Sequence, residues 1–230
     1  MNKPNLPRLN SFLHVIWDWN GTLFDDAWLN MDIMNGLLRR RRLPLLTPER
    51  YQELFDFPVI EYYRRLGFDF AKESFEVLGT EFIREYERRR GECHLQPAAM
   101  RVLDAVRAAG LTQSVLSAYQ HKTLEIILRE FHVRDFFVHV VGGDDHYASG
   151  KVEQGRAYIR ELGCQPSRVV LVGDTTHDFE VAQAMGSACL LIPSGNHSRS
   201  RLERCGVPVL DSLADVLAMV GHEGAQGTQL

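Results

Sequence analysis

A chain of 230 residues with 45% apolar composition can bury one substantial core and a smaller satellite unit. Lysine and arginine total 26 against 30 acidic residues, and the net charge of -4 removes any whole-molecule attraction to nucleic acid or to an anionic membrane. Cys93, Cys164, Cys189 and Cys205 form no Cys-x-x-Cys pair, residues 1 to 10 lack the apolar centre of a secretory signal, and no run reaches membrane-spanning length, so free thiols in a reducing cytoplasm are expected.

The first predicted element is a buried strand over residues 12 to 18, an apolar run that delivers Asp18 into the turn Trp19-Asn20-Gly21-Thr22. Helical spacing follows. Ala27, Met31, Met34 and Leu38 share a face, with Asp25 as the expected cap and Arg39 to Arg42 at the basic end. Thr47-Pro48-Glu49 opens a second helix, Pro58 to Leu66 forms a third that stops at Gly67, and a fourth aligns Phe75, Leu78, Phe82 and Tyr86 before Gly91. Residues 27 to 95 thus read as helices without a strand.

From Pro97 the pattern alternates helix with short apolar strand, the mark of a parallel sheet covered on both faces. Helices are expected over residues 98–109, 120–131, 179–185 and 213–220, with another opening near Lys151. Strands are expected over 113–117, 137–141, 168–174 and 189–192, a polar loop over 142–150, and a disordered tail after Gly221. The predicted fold is therefore α/β, a Rossmann-like parallel sheet core of residues 1–26 and 96–230, interrupted by an all-helical cap of residues 27–95. Glycines and polar residues at the two crossings suit hinges.

Asp18, Ser117 and Asp174 each end a predicted strand, and Lys151 follows another. In open α/β sheets those ends line one crevice, where ligands bind. The ordered set of His14 to Asp25, Ser117, Lys151 and Gly173-Asp174-Thr175-Thr176-His177-Asp178 resembles the four motifs of the haloacid dehalogenase superfamily, over about residues 12 to 193. The general plan is similar to phosphoglycolate phosphatase-like members. The resemblance implies that Asp18 attacks phosphorus and forms an aspartyl-phosphate. It implies Mg²⁺ held by Asp18, the Asn20 backbone carbonyl, Asp174 and Asp178, an oxygen-only donor set that magnesium favours. Ser117 and Lys151 are implied to bind the phosphoryl oxygens of a small phosphorylated substrate. Ordinary structural roles compete for several positions. Asp178 could cap the following helix, His177 reads as a solvent-facing loop residue, and His14 reads as a satisfied core histidine. The Arg39–Arg42 and Arg88–Arg90 runs read as helix C-termini and not as a nucleic-acid site. No feature specifies an oligomeric state.

Asn20 departs from the family pattern Asp-x-Asp-Gly-Thr-Leu. The second aspartate there protonates the leaving group and then activates water, and an amide does neither. Losing general acid–base help typically costs ~10²–10⁴-fold in rate. The sequence therefore predicts slow turnover of alkyl phosphates and leaves two alternatives open: a non-catalytic or regulatory phosphate-binding protein, and a phosphonate hydrolase using Lys72, the one lysine in the insert. Asn20-Gly21 is also a sequence prone to deamidation, which would restore a carboxylate at position 20.

Overall fold

The unbroken apolar run near the start of the chain folds as β1 (His14–Trp17), with every residue buried, as a strand covered on both faces requires. The computed structural model describes residues 9–143 and 150–220. After β1 come β2 (Phe24–Asp25) and four helices: α1 (Ala27–Arg40), α2 (Pro48–Leu54), α3 (Val59–Leu66) and α4 (Phe75–Arg89). The chain returns through β3 (His94–Leu95) and continues as α5 (Ala99–Ala108), β4 (Thr112–Gln120), α6 (His121–Glu130), β5 (His139–Gly143) and α7 (Lys151–Glu161). It ends with β6 (Val169–Gly173), α8 (Thr176–Met185), β7 (Ala188–Leu191), α9 (Arg199–Glu203) and α10 (Asp215–Met219).

The main sheet has the order β5-β4-β1-β6-β7 and all its pairs are parallel. β1 is central, so the chain reverses its direction of travel across the sheet on either side of it. Trp17 lies level with Val115 of β4 and Val172 of β6, which places the residues that follow all three strands at one edge. Alternation sorts the core: Val15, Trp17, Val115, Val170 and Val172 pack into one apolar cluster, while Ile16, Leu116, Leu171 and Leu191 pack into another. The expected α/β fold with a helical insertion is the observed one.

Local chemistry explains the helix ends of the insertion. The Thr47 hydroxyl accepts from the Arg50 N–H at 3.3 Å, Pro48 occupies the first turn of α2, and α3 stops where Gly67 turns left-handed at φ 96°. The expectation of no strand in residues 27–95 fails at β3, which pairs antiparallel with β2 and ties the outgoing and returning chains together. Two residues are too few to leave a period-2 signal. The five-residue α9 was likewise missed for its brevity. β5 starts at His139 because a 3₁₀ turn occupies Arg134–Phe136. The tail after Gly221 and most of the polar loop, residues 144–149, lie outside the described residues. Among the described residues no helix is long and apolar enough to cross a membrane. All four cysteines are free.

The insertion is fastened to the segment after β7. Buried Arg201 donates from Nη1 to the carbonyls of Gln52, Glu53 and Phe55 at 2.9, 3.2 and 2.7 Å, which serves the unsatisfied C-terminal end of α2. Nearby, His197 Nδ1 accepts from the Thr176 N–H at 3.0 Å and Nε2 bonds the Phe55 carbonyl at 2.9 Å. Those partners require the neutral ring with its proton on Nε2. Burial and the neighbouring Arg201 charge hold it neutral, lowering its pKa to about 4. Replacing the guanidinium in Arg201→Met is expected to cost about 1.5–3 kcal/mol in urea unfolding, the range for hydrogen bonds to a charged group.

Candidate active site

The edge where β1, β4 and β6 end collects the residues singled out from the sequence. Asp18 follows β1, Asp174 follows β6 and Asp178 lies in the first turn of α8. Their carboxylates are all buried, with oxygens within 4.8 Å of one another. Lys151, at the start of α7, donates to Asp18 Oδ1 at 2.5 Å and to Asp178 Oδ1 at 2.6 Å. Thr22 Oγ1 lies 3.2 Å from Asp18 Oδ2 and 3.3 Å from Asp174 Oδ1. Ser117 is buried within β4. Its oxygen accepts from the Tyr119 N–H at 3.1 Å, while Asn20 Oδ1 stands 3.5 Å away, too far for a firm bond. The Ser117 proton is thus available to another acceptor.

Three carboxylates face one ammonium, and burial decides how they titrate. For Asp18, desolvation outweighs the attraction of Lys151 and lifts the pKa to about 7. Desolvation and the charges of Asp18 and Asp178 push Asp174 well above the usual carboxylate range. Asp178 is also desolvated, but the Lys151 charge and hydrogen bonds from Lys151 and Thr175 prevail and hold it low. A divalent cation would relieve the remaining repulsion, and buried carboxylate oxygens suit magnesium better than a softer metal. Asp178 does more than face that centre. Its Oδ2 accepts from the Thr175 N–H and hydroxyl at 3.0 and 2.6 Å, so it also closes a capping box on α8. Gly21, at φ 80°, crosses this floor where a side chain has no room: a Cβ there would lie 2.3 Å from Asp174 Oδ2.

Asn20 is held by Asp26, the neighbour of the expected cap Asp25. Its Nδ2 donates to Asp26 Oδ2 at 2.7 Å and lies 2.9 Å from the Tyr86 hydroxyl. Asp26, fully buried, also accepts from Tyr86 Oη at 2.8 Å, Asn30 Nδ2 at 3.2 Å and the Gly21 N–H at 2.9 Å. The expected cap is therefore corrected. Asp26, not Asp25, precedes α1, and it makes no side-chain capping bond because its carboxylate turns inward to Asn20. The Gly21 N–H, which deamidation of Asn20 requires as nucleophile, is engaged by Asp26 and by the Phe24 carbonyl at 2.8 Å. Peptide mapping of stored protein should find Asn20 intact, with conversion appearing only after denaturation.

Other positions fall away from the centre. Lys72 is 84% exposed and pairs with Asp69 at 3.1 Å, so no amine of the insertion reaches the site among the described residues. His177 sits in α8, not in a solvent-facing loop, bonded to Glu180 and stacked on Phe57 with ring centroids 4.8 Å apart. His14 is a satisfied core residue, bonded to Thr112 and Ser114 at 2.7 and 2.8 Å. Asn196 was missed. Its N–H and Nδ2 donate to Asp174 Oδ2 at 2.7 and 3.0 Å, and its Oδ1 accepts from Tyr51 of α2 at 2.6 Å. The polar turn Ser194-Gly195-Asn196 after β7 was the available signal, since it repeats the strand-then-polar-turn design of the other motifs.

The raised Asp18 pKa has a stability consequence. A carboxyl that stays protonated in the fold above the unfolded value of about 4 favours folding at low pH, and that contribution is lost as pH rises from about 4 through about 7. Measured in EDTA, the Tm of the wild type relative to Asp18→Asn should fall across that window. Mg²⁺ should reduce the fall.

The family model for haloacid dehalogenase-like hydrolases matches residues 15–192. A phosphoglycolate phosphatase of Synechococcus elongatus is 25% identical over 211 residues, covering 90% of this chain and 96% of the relative. The tyrosine-protein kinase PtkA of Mycobacterium tuberculosis is 24% identical over 204 residues, covering 88% and 69%. Among solved structures, a haloacid dehalogenase-like family hydrolase from Streptococcus pneumoniae superposes with a TM-score of 0.77 at 16% identity, covering 92% of this chain and 99% of that one. With the family model spanning both outer motifs and the same fold found in that neighbour, the chain belongs to the haloacid dehalogenase-like hydrolases.

Proposed function

We propose that the protein is a Mg²⁺-dependent phosphatase of a small organophosphate, acting through Asp18. The observation that carries this reading is the position of Asp18 at the tip of β1, on a cavity that Ser117, Lys151, Asp174 and Asp178 also line. In the first step an Asp18 oxygen bonds to phosphorus as the ester P–O bond breaks, and the leaving oxygen takes its proton from water. In the second, water attacks the acyl phosphate, releasing inorganic phosphate and restoring the carboxylate. Lys151 holds the carboxylate in place and offsets phosphate charge, and Ser117 donates its free proton to a phosphoryl oxygen. Asp18, Asp174, Asp178 and the Asn20 carbonyl would hold Mg²⁺, which when bound supplies charge neutralisation between the nucleophile and the phosphate. Residues 27–95 serve as a cap over a core of residues 1–26 and 96–230, excluding water from the reaction.

The relatives support a phosphoryl reaction without fixing its direction, since one is named a phosphatase and another a kinase. The surface position of Lys72 counts against Schiff-base phosphonate chemistry. Acetyl phosphate, whose leaving group needs no protonation, is the direct test. The expected result is Mg²⁺-dependent turnover that Asp18→Asn abolishes. Equal rates in the two proteins would instead favour a phosphate-binding protein. Asn20→Asp should raise turnover of alkyl phosphates, on the order of 10²-fold for a restored general acid. It should also lower Tm, because the introduced carboxyl group would meet the Asp26 carboxylate where the Asn20 amide now bonds at 2.7 Å.

A further inference from the structure

The cavity above Asp18 has a floor and a roof of opposite character. The floor carries the carboxylates and Lys151, whereas the insertion contributes mainly Phe55, Phe57, Tyr62, Tyr63, Phe82 and Tyr86. Lys151 is the only cationic side chain lining it among the described residues, and that ammonium is already bonded to Asp18 and Asp178. A carboxylate or a second phosphate on the substrate would therefore be buried against aromatic rings with no counter-charge, at a large desolvation cost. Phosphoglycolate carries such a carboxylate. The cavity measures about 160 Å³. That space is shared between the polar floor and the aromatic roof, so it suits a compact leaving group.

One polar atom in the roof lacks a partner. Tyr62 is buried, its ring lies edge-on to Phe55 and Tyr51, and its hydroxyl has no hydrogen bond among the described residues. That oxygen is closed off from the cavity, so an occupant would meet the aromatic wall and not the hydroxyl. The chemistry of the floor narrows the leaving group independently. Asn20 cannot protonate an alkoxide, and its amide is fixed by Asp26 and Tyr86. A phenol, with pKa about 10, leaves without that help far more readily than an aliphatic alcohol, which is about as weak an acid as water near ~16.

Resting on the phosphatase reading of Asp18, we infer that the substrate is the monophosphate ester of an uncharged phenol. The phosphate sits on the polar floor. The ring lies among the aromatic side chains of α2, α3 and α4.

Ring recognition is measurable without turnover by titrating the wild-type protein, with Mg²⁺ present, with benzylphosphonate, ethylphosphonate and phosphonoacetate. Benzylphosphonate should bind about 10- to 100-fold more tightly than ethylphosphonate, the gain from burying one phenyl-sized group, with phosphonoacetate weakest. Equal affinities, or a preference for phosphonoacetate, overturn the inference. In kinetics, phenyl phosphate should exceed benzyl phosphate in kcat/KM, and the reverse order also overturns it. Acetyl phosphate separates the two levels. Its turnover by wild type and not by Asp18→Asn sustains the phosphatase reading even where ring preference is missing. Its failure removes that reading whatever the phosphonates show.

Discussion

Three buried carboxylates sharing one ammonium set the terms for the rest of the molecule. Asp18, Asp174 and Asp178 cannot all be ionised in a low-dielectric pocket on the strength of Lys151 alone, and the raised pKa values of the first two express that conflict. A structure selected only for stability would not keep such a cluster. The fold bears it through many donors: Thr22 near Asp18 and Asp174, Asn196 on Asp174, and the capping box on Asp178. Stored charge of this kind favours binding a cation and a phosphate, because both find an environment already organised for them.

A second buried carboxylate, Asp26, governs Asn20. Asp26 gathers donors from Asn20, Asn30, Tyr86 and Gly21, and so joins the turn after β1 to α1 and α4 of the insertion. An amide at position 20 is what this arrangement accepts, because two carboxylates at that separation would repel. Asn20 is thus one half of a carboxylate–amide pair, which ties the floor to the way the insertion is fastened.

The roof completes the picture. Arg201 and His197 fix the end of α2, and Tyr51 reaches from α2 to Asn196, which in turn bonds Asp174. The aromatic wall is therefore mechanically linked to the buried carboxylates. Such a link gives a route by which an occupant of the roof could adjust the floor, and it makes the insertion part of the site itself.

Much of this was legible in the residues. The apolar runs ending in Asp18 and Asp174, the alternation of strand and helix after Pro97, and the caps at Thr47 and Gly67 are local patterns, and local patterns determine elements and the edge of the sheet where chemistry gathers. What no local pattern carries is the pairing of groups distant in sequence. That Asp26 rather than Asp25 turns inward, that Tyr86 and Tyr51 reach the floor from the insertion, and that Tyr62 is left without a partner depend on packing across 60 to 145 residues of chain. The sequence by itself determined the family, the sheet and the polar floor, because each follows from periodicity or from residue type at a strand end. Only the tertiary structure decided what Asn20 is bonded to and which side chains form the roof, because burial and hydrogen-bond partnership exist only once the chain has folded.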